Sequence, residues 1–170
     1  MNQSVIQGIG FLALLFVILS FQKNKRATIL VYLIIAQILF TLHFSLLHAW
    51  IGASMNALAA IRTFIFYQKE KIDILKNPIW LYIFIFLTWS MTIVFWNNIF
   101  TIFPVLAMTF DIIATWNVNT KKIRLLMLLP RPLWLIYNLV VGSVAGIIAE
   151  IVILISLLIG IVRFDIKLKK

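Results

Sequence analysis

Residues 79–96 read IWLYIFIFLTWSMTIVFW. The stretch is long enough to cross a bilayer, which takes about 17 residues or more, and it holds no ionisable side chain. Thr88, Ser90 and Thr92 make it mildly polar, and Trp80 and Trp96 bracket it where interfacial anchors belong. It reads as a peripheral helix facing lipid. Three further apolar runs precede it, at 4–21, 29–48 and 49–67, and three follow it, at 99–118, 124–141 and 142–164.

Composition agrees with seven spans. The 170 residues are 64% hydrophobic and 12% charged, whereas soluble domains run about 45–50% apolar and about 25% charged. So few polar residues do not cover a soluble surface of this size. The chain is a multi-pass membrane protein. Its N-terminus, MNQSVIQG, lacks the basic region of a signal peptide, so the first span is expected to remain in the mature protein.

A formal charge of +10 invites a nucleic-acid reading, but the placement of the charge argues against one. Thirteen of the 15 Lys and Arg residues fall in four clusters: Lys23/Lys25/Arg26, Lys69/Lys71/Lys76, Lys121/Lys122/Arg124 and Arg163/Lys167/Lys169/Lys170. With the N-terminus outside, all four clusters lie on the cytoplasmic side. The tight joins His48-Ala49, Asn97-Asn98 and Val141-Gly142 lie outside, and none holds a Lys or Arg. This is a positive-inside pattern without exception. The expected partners are the lipid bilayer, including anionic headgroups, and no nucleic acid. There is no cysteine, and His43 and His48 have no acidic partner at ligand spacing, so neither a metal nor a cofactor is expected.

Removing the fourth span leaves three on each side. A shift of 94 residues lays 5–67 over 99–161 without a gap, with QILFTLHFSLLHAWIGASMN (37–56) over RPLWLIYNLVVGSVAGIIAE (131–150). Gln37 then meets Arg131, Phe40 meets Trp134, Gly52 meets Gly146 and Asn56 meets Glu150. Identity is low, and the match rests on hydropathy, loop charge and polar depth. A three-span unit ends on the side opposite its start, so a parallel repeat needs one extra crossing, which the fourth span supplies. The expected fold is therefore an all-α membrane protein of two parallel three-helix bundles joined by a linker helix (3+1+3). Residues 1–67 form the first repeat, 68–98 the linker, and 99–170 the second repeat with a basic cytoplasmic tail. Such parallel repeats carry a midplane site between the halves in transporters. One chain holds both halves, so a monomer or a homodimer is expected.

Polar residues within the spans form helical stripes at i, i+3, i+4, i+7 spacing. Arg131, Trp134 and Asn138 share one face; Asp111 aligns with Thr101, Pro104 and Thr115; Asn56 aligns with Gly52, Ala60 and Thr63; Glu150 aligns with Ser143 and Gly146. A charge near the bilayer centre costs about 2.5–3.5 kcal/mol on insertion scales, so such residues face the bundle interior. Glu150 is read either as a cavity-lining acceptor or proton carrier, or as a protonated carboxyl bonded to a neighbouring helix. Asp111 and Arg131 lie level on adjacent spans and suit an ion pair, and Trp134 suits stacking on a planar ring or sugar. Arg62 is expected to snorkel to the cytoplasmic surface, and His43 to hydrogen-bond near the outer end. Pro104, Pro130 and Pro132 each remove a backbone donor and are expected to act as hinges in spans 5 and 6.

The pieces QGIGFLALLF, GAS with AIRTFI, PV at 104–105, and WLIYN…GSVAG…E with IVRF resemble the YgjV family of small bacterial inner-membrane proteins over nearly the whole chain. The positions that match are Gln7, Gly8, Gly10, Gly52, Arg62, Trp134, Asn138, Gly142, Ser143, Gly146, Glu150 and Arg163. The resemblance implies the bacterial inner membrane as location. It also implies kinship with the SWEET and PQ-loop transporters, whose two three-helix bundles joined by a linker helix are the architecture expected above. The proline-glutamine dipeptide of that group is absent.

The expected function is transport of a small polar solute, with or without a proton, by alternating access between the two bundles. The alternative is a non-transporting membrane protein, lipid-interacting or regulatory. No Ser/His, paired-carboxylate or HExxH arrangement stands at catalytic spacing, so an enzyme is not expected.

Overall fold

The computed structural model describes residues 3–46, 50–94, 96, 99–140 and 144–166. Among the described residues the chain is helical, with no strand. The helices are α1 (Gln3–Phe21), α2 (Arg26–Leu46), α3 (Trp50–Gln68), α4 (Ile79–Val94), α5 (Ile102–Trp116), α6 (Thr120–Leu126), α7 (Pro130–Val140) and α8 (Val144–Phe164). Short 3-10 turns, Asp73–Lys76 and Ile99–Thr101, precede α4 and α5. Five stretches among the described residues are long and apolar enough to cross a membrane: Ser4–Phe21, Arg26–Leu46, Ile99–Trp116, Thr120–Val140 and Gly146–Phe164. The fourth expected span is an apolar helix of 16 residues, and α3 has the length of a span, 19 residues, but carries Ser54, Asn56 and Arg62. His48, Gly142, Ser143 and the lysines at 167, 169 and 170 lie outside the described residues.

The helix ends differ from expectation in informative ways. The second span begins at Arg26, and the sixth at Thr120, where the Asn119 side chain accepts from the Lys122 backbone N–H and caps α6. Arg26 and Arg124 are therefore buried helical residues rather than solvated loop charges. The sixth span is broken by the turn at residues 127–129, after which Pro130 and Pro132 open α7. Pro104 sits in the first turn of α5, where its missing N–H leaves no broken bond, so the expected interruption inside span 5 is instead a helix start.

Within the bundle α1 packs on α2 and α2 on α3; α5 packs on α6 and α7, and α7 on α8. Contacts between these two sets run through α1 with α8 and α3 with α5. The α4 helix lies against α5 and α3 and buries only Phe84, Thr88 and Thr92, one stripe at i, i+4, i+8. Its threonine hydroxyls donate to carbonyls one turn back, Thr88 to Phe84 and Thr92 to Thr88, so no donor is stranded in an apolar setting. The largest apolar cluster joins Val17 and Phe21 of α1, Ile29 and Leu33 of α2, Ile123 of α6 and Leu157 of α8.

At the end carrying the basic clusters, two arginines tie the sets together. Arg26 Nε donates to the Asn117 carbonyl at 2.6 Å, and its Nη2 donates to the carbonyls of Phe66 (2.9 Å) and Thr115 (3.1 Å). Arg124 Nη1 donates to the Lys23 carbonyl at 2.9 Å. Each arginine also pairs with an acid beyond the last helix of its own set: Arg26 with Glu70 (3.2 Å), and Arg124 with Asp165 through both carboxylate oxygens (2.8 and 2.6 Å). Lys69 adds a hydrogen bond to the Trp116 carbonyl and sits 3.6 Å from the centroid of its ring.

Candidate functional site

Between the two sets lies a cavity of about 970 Å³. It falls within the size range of small-molecule sites, roughly 300–1,000 Å³. Glu150, Asn56, Asn138, Trp134, Arg131, Asp111 and His43 all line it, as does Pro104. Pro130 and Pro132 do not. The lining is otherwise mostly apolar, with Phe40, Phe44, Met55 and Met108 among its members.

Arg131 organises the charged layer. Its Nη1 reaches Glu150 Oε2 at 2.9 Å, its Nη2 reaches Asp111 Oδ1 at 3.1 Å, and its Nε donates to the Met127 carbonyl at 3.2 Å. The break before Pro130 positions this side chain, because it allows α7 to set out anew after α6 has finished. The Asp111–Arg131 pair expected from depth is present. Glu150 lines the cavity and is bonded to the neighbouring α7 through Arg131, which it shares with Asp111. Trp134, one turn from Arg131, is a further hydrogen-bonding neighbour of Asp111.

The neutral residues are held more locally. Asn56 Nδ2 donates to the Gly52 carbonyl within α3 at 2.9 Å. His43 Nδ1 lies 2.9 Å from the Ile6 carbonyl, which accepts when the ring carries its proton on that nitrogen. Glycines make room for these contacts. A Cβ on Gly10 would lie 2.9 Å from the His43 ring, and one on Gly146 would overlap the Asn138 amide. Glycine lets α1 come this close to α2, and α8 to α7.

Arg62 contradicts its expected place. It does not snorkel to a surface but is 2% exposed and lines the cavity. Its Nε and Nη1 have no hydrogen-bond partner. Asp111 is the carboxylate whose charge reaches it, without an ion pair. The signal was present in α3: Met55, Ala59, Arg62 and Phe66 are buried at i, i+4, i+7, i+11, one inward stripe. Gln37, the repeat counterpart of Arg131, also lines the cavity, and its Oε1 is buried without a partner among the described residues.

No curated protein and no solved structure is significantly similar to the chain. Residues 4–167 match the Imp-YgjV family, described as bacterial inner membrane protein. With nearly the full length matched and several helices able to cross a bilayer, the chain is a multi-pass protein of the bacterial inner membrane and belongs to the Imp-YgjV family.

Proposed function

We propose that the protein moves a small polar solute across the inner membrane by alternating access between two parallel three-span bundles, α1–α3 and α5–α8, joined by α4. The observation that carries this reading is the cavity: its lining comes from both bundles and includes Glu150, Asn56, Asn138, Trp134, Arg131, Asp111 and His43, the seven polar and aromatic candidates of the spans.

Relations at a shift of 94 residues support the parallel repeat. Under that shift the contact of α1 with α8 becomes the contact of α5 with α3. Gly52 packs against Phe44, and its counterpart Gly146 packs against Asn138, the counterpart of Phe44. Gln37 and Asn56 line one side of the cavity, and their counterparts Arg131 and Glu150 line the other. The first bundle thus contributes amides where the second contributes an ion pair. The two arginine ties at the basic end act as the closed gate, and the break at 127–129 is the joint about which α7 rocks.

The chain has no cysteine, so one introduced thiol reports its own accessibility. With Asn56→Cys in right-side-out and in inverted vesicles, a membrane-impermeant maleimide should label the thiol from both sides. Labelling from neither side, or from one side only under every condition, would favour the alternative, a closed non-transporting bundle.

A further inference from the structure

Resting on the transport reading, we infer that the solute carries an oxyanion, a carboxylate or phosphate group, which docks on Arg62 at the cavity wall formed by α3 and α5. The chain has five carboxylate side chains, and each lies within ion-pair distance of a cation other than Arg62. Glu70 has Arg26, Asp73 has Lys76, Asp165 has Arg124, and Asp111 and Glu150 divide Arg131 between them. Among the described residues, Arg62 is left as a buried cation with two of its three nitrogens lacking any acceptor.

A buried charge without a partner is among the least favourable arrangements in a fold. It persists where a ligand supplies the missing half. A guanidinium is always charged, and its planar donors match carboxylate and phosphate oxygens. The competing reading, a cationic solute on Asp111 and Glu150, requires displacing Arg131 from two ion pairs and a backbone bond. An anion on Arg62 displaces nothing. Trp134 and Phe40 also line the cavity and offer rings to the rest of the solute, which points to an anionic group on an apolar or aromatic body.

The full-length protein in neutral detergent is titrated with benzoate, acetate, phenyl phosphate and inorganic phosphate. Neutral benzamide, cationic benzylamine and the lipid phosphatidylglycerol are titrated alongside, with thermal unfolding as the readout. Benzoate or phenyl phosphate should raise the apparent Tm by several degrees, with the preferred one naming the oxyanion. Benzamide and benzylamine should not. Arg62→Gln should weaken the response about 10- to 100-fold, the usual consequence of losing hydrogen bonds to a charged group. Arg62→Lys should fall between, and Lys122→Gln, an exposed control, should behave as wild type. The inference is overturned by an anion response that survives Arg62→Gln, by stabilisation from benzylamine, benzamide or phosphatidylglycerol alone, or by no response at all. Uptake into proteoliposomes separates the two readings. Anion binding without uptake removes transport and leaves the Arg62 site, whereas uptake of a neutral solute without anion binding removes only the inference.

Discussion

Lys23 and Asn117 stand 94 residues apart, and each offers its backbone carbonyl to an arginine from the opposite half of the chain: Arg124 reaches Lys23 and Arg26 reaches Asn117. The carbonyls themselves are outside the reach of mutation, but their donors are held by acids that are not. Asp165 is 5% exposed at its side chain and holds Arg124 in bidentate fashion, while Glu70 is 51% exposed. Asp165→Asn should therefore destabilise the protein by about 3–5 kcal/mol, the usual cost of stranding one partner of a buried pair. Glu70→Gln should cost about 0–1 kcal/mol. Unfolding of the purified variants in detergent measures both, and equal losses would contradict the asymmetry.

The shared arginine couples its two carboxylates. Asp111→Asn leaves Arg131 with Glu150 and also removes the carboxylate whose field reaches Arg62, whereas Glu150→Gln leaves Arg131 paired with Asp111 and that field in place. The Asp111 variant should be the less stable of the two. A double-mutant cycle should give a coupling of about 0.5–3 kcal/mol, as for residues in one network. Additive losses would mean that the carboxylates act independently.

Arg62 should limit the stability of the ligand-free protein. Arg62→Met keeps much of the side-chain length, removes the unpartnered charge, and should gain about 0.5–2 kcal/mol, the trade typical of functional positions. Solute uptake should fall at the same time. A destabilised Arg62→Met variant would indicate that the guanidinium is already satisfied.

The glycines offer a sharp contrast. A Cβ on Gly146 would collide with the Asn138 amide, whereas a Cβ on Gly8 meets nothing within 4 Å. Gly146→Ala should cost about 1–3 kcal/mol through overpacking. Gly8→Ala should be neutral or stabilising by up to about 1 kcal/mol through helix propensity. Thermal unfolding of the two variants distinguishes them.

Lys69 gives the basic end a pH signature. Burial, followed by the nearby Arg26 charge, pushes its ammonium down to about 8, with Glu70 opposing. The unfolded chain keeps the ordinary lysine value and so binds more protons than the folded chain between about pH 8 and pH 10.5. Stability should therefore rise with pH across that window, and the rise should shrink in Lys69→Met. Apparent Tm against pH for both proteins is the check.

Much of this architecture was legible in the residues. Spans longer than about 17 apolar residues leave little choice but a helix, and the stripes of Arg131/Trp134/Asn138 and Gly146/Glu150 placed those side chains inward. The depth of Asp111 and Arg131 predicted their pairing. What escaped was partner choice. A stripe says which face is inward but not which neighbour it meets, so the sharing of Arg131 between Glu150 and Asp111 did not follow from it. Arg62 was misplaced for a related reason: a long cationic side chain near a helix end can snorkel or turn inward, and the choice depends on the cavity between the two sets of helices. Arg26 and Arg124 looked like loop charges because their helices begin earlier than the apolar runs do.

Rocking of the two bundles about a central cavity is tested most directly by distances across the basic end. Spin labels at Lys71→Cys and Arg163→Cys, both exposed and beyond or near the ends of α3 and α8, report the separation of the two halves. Electron–electron double resonance in lipid bilayers should give two distance populations, with Arg26→Ala and Arg124→Ala together shifting weight to the longer one. A single narrow distance, unchanged when both arginines are removed, would contradict alternating access.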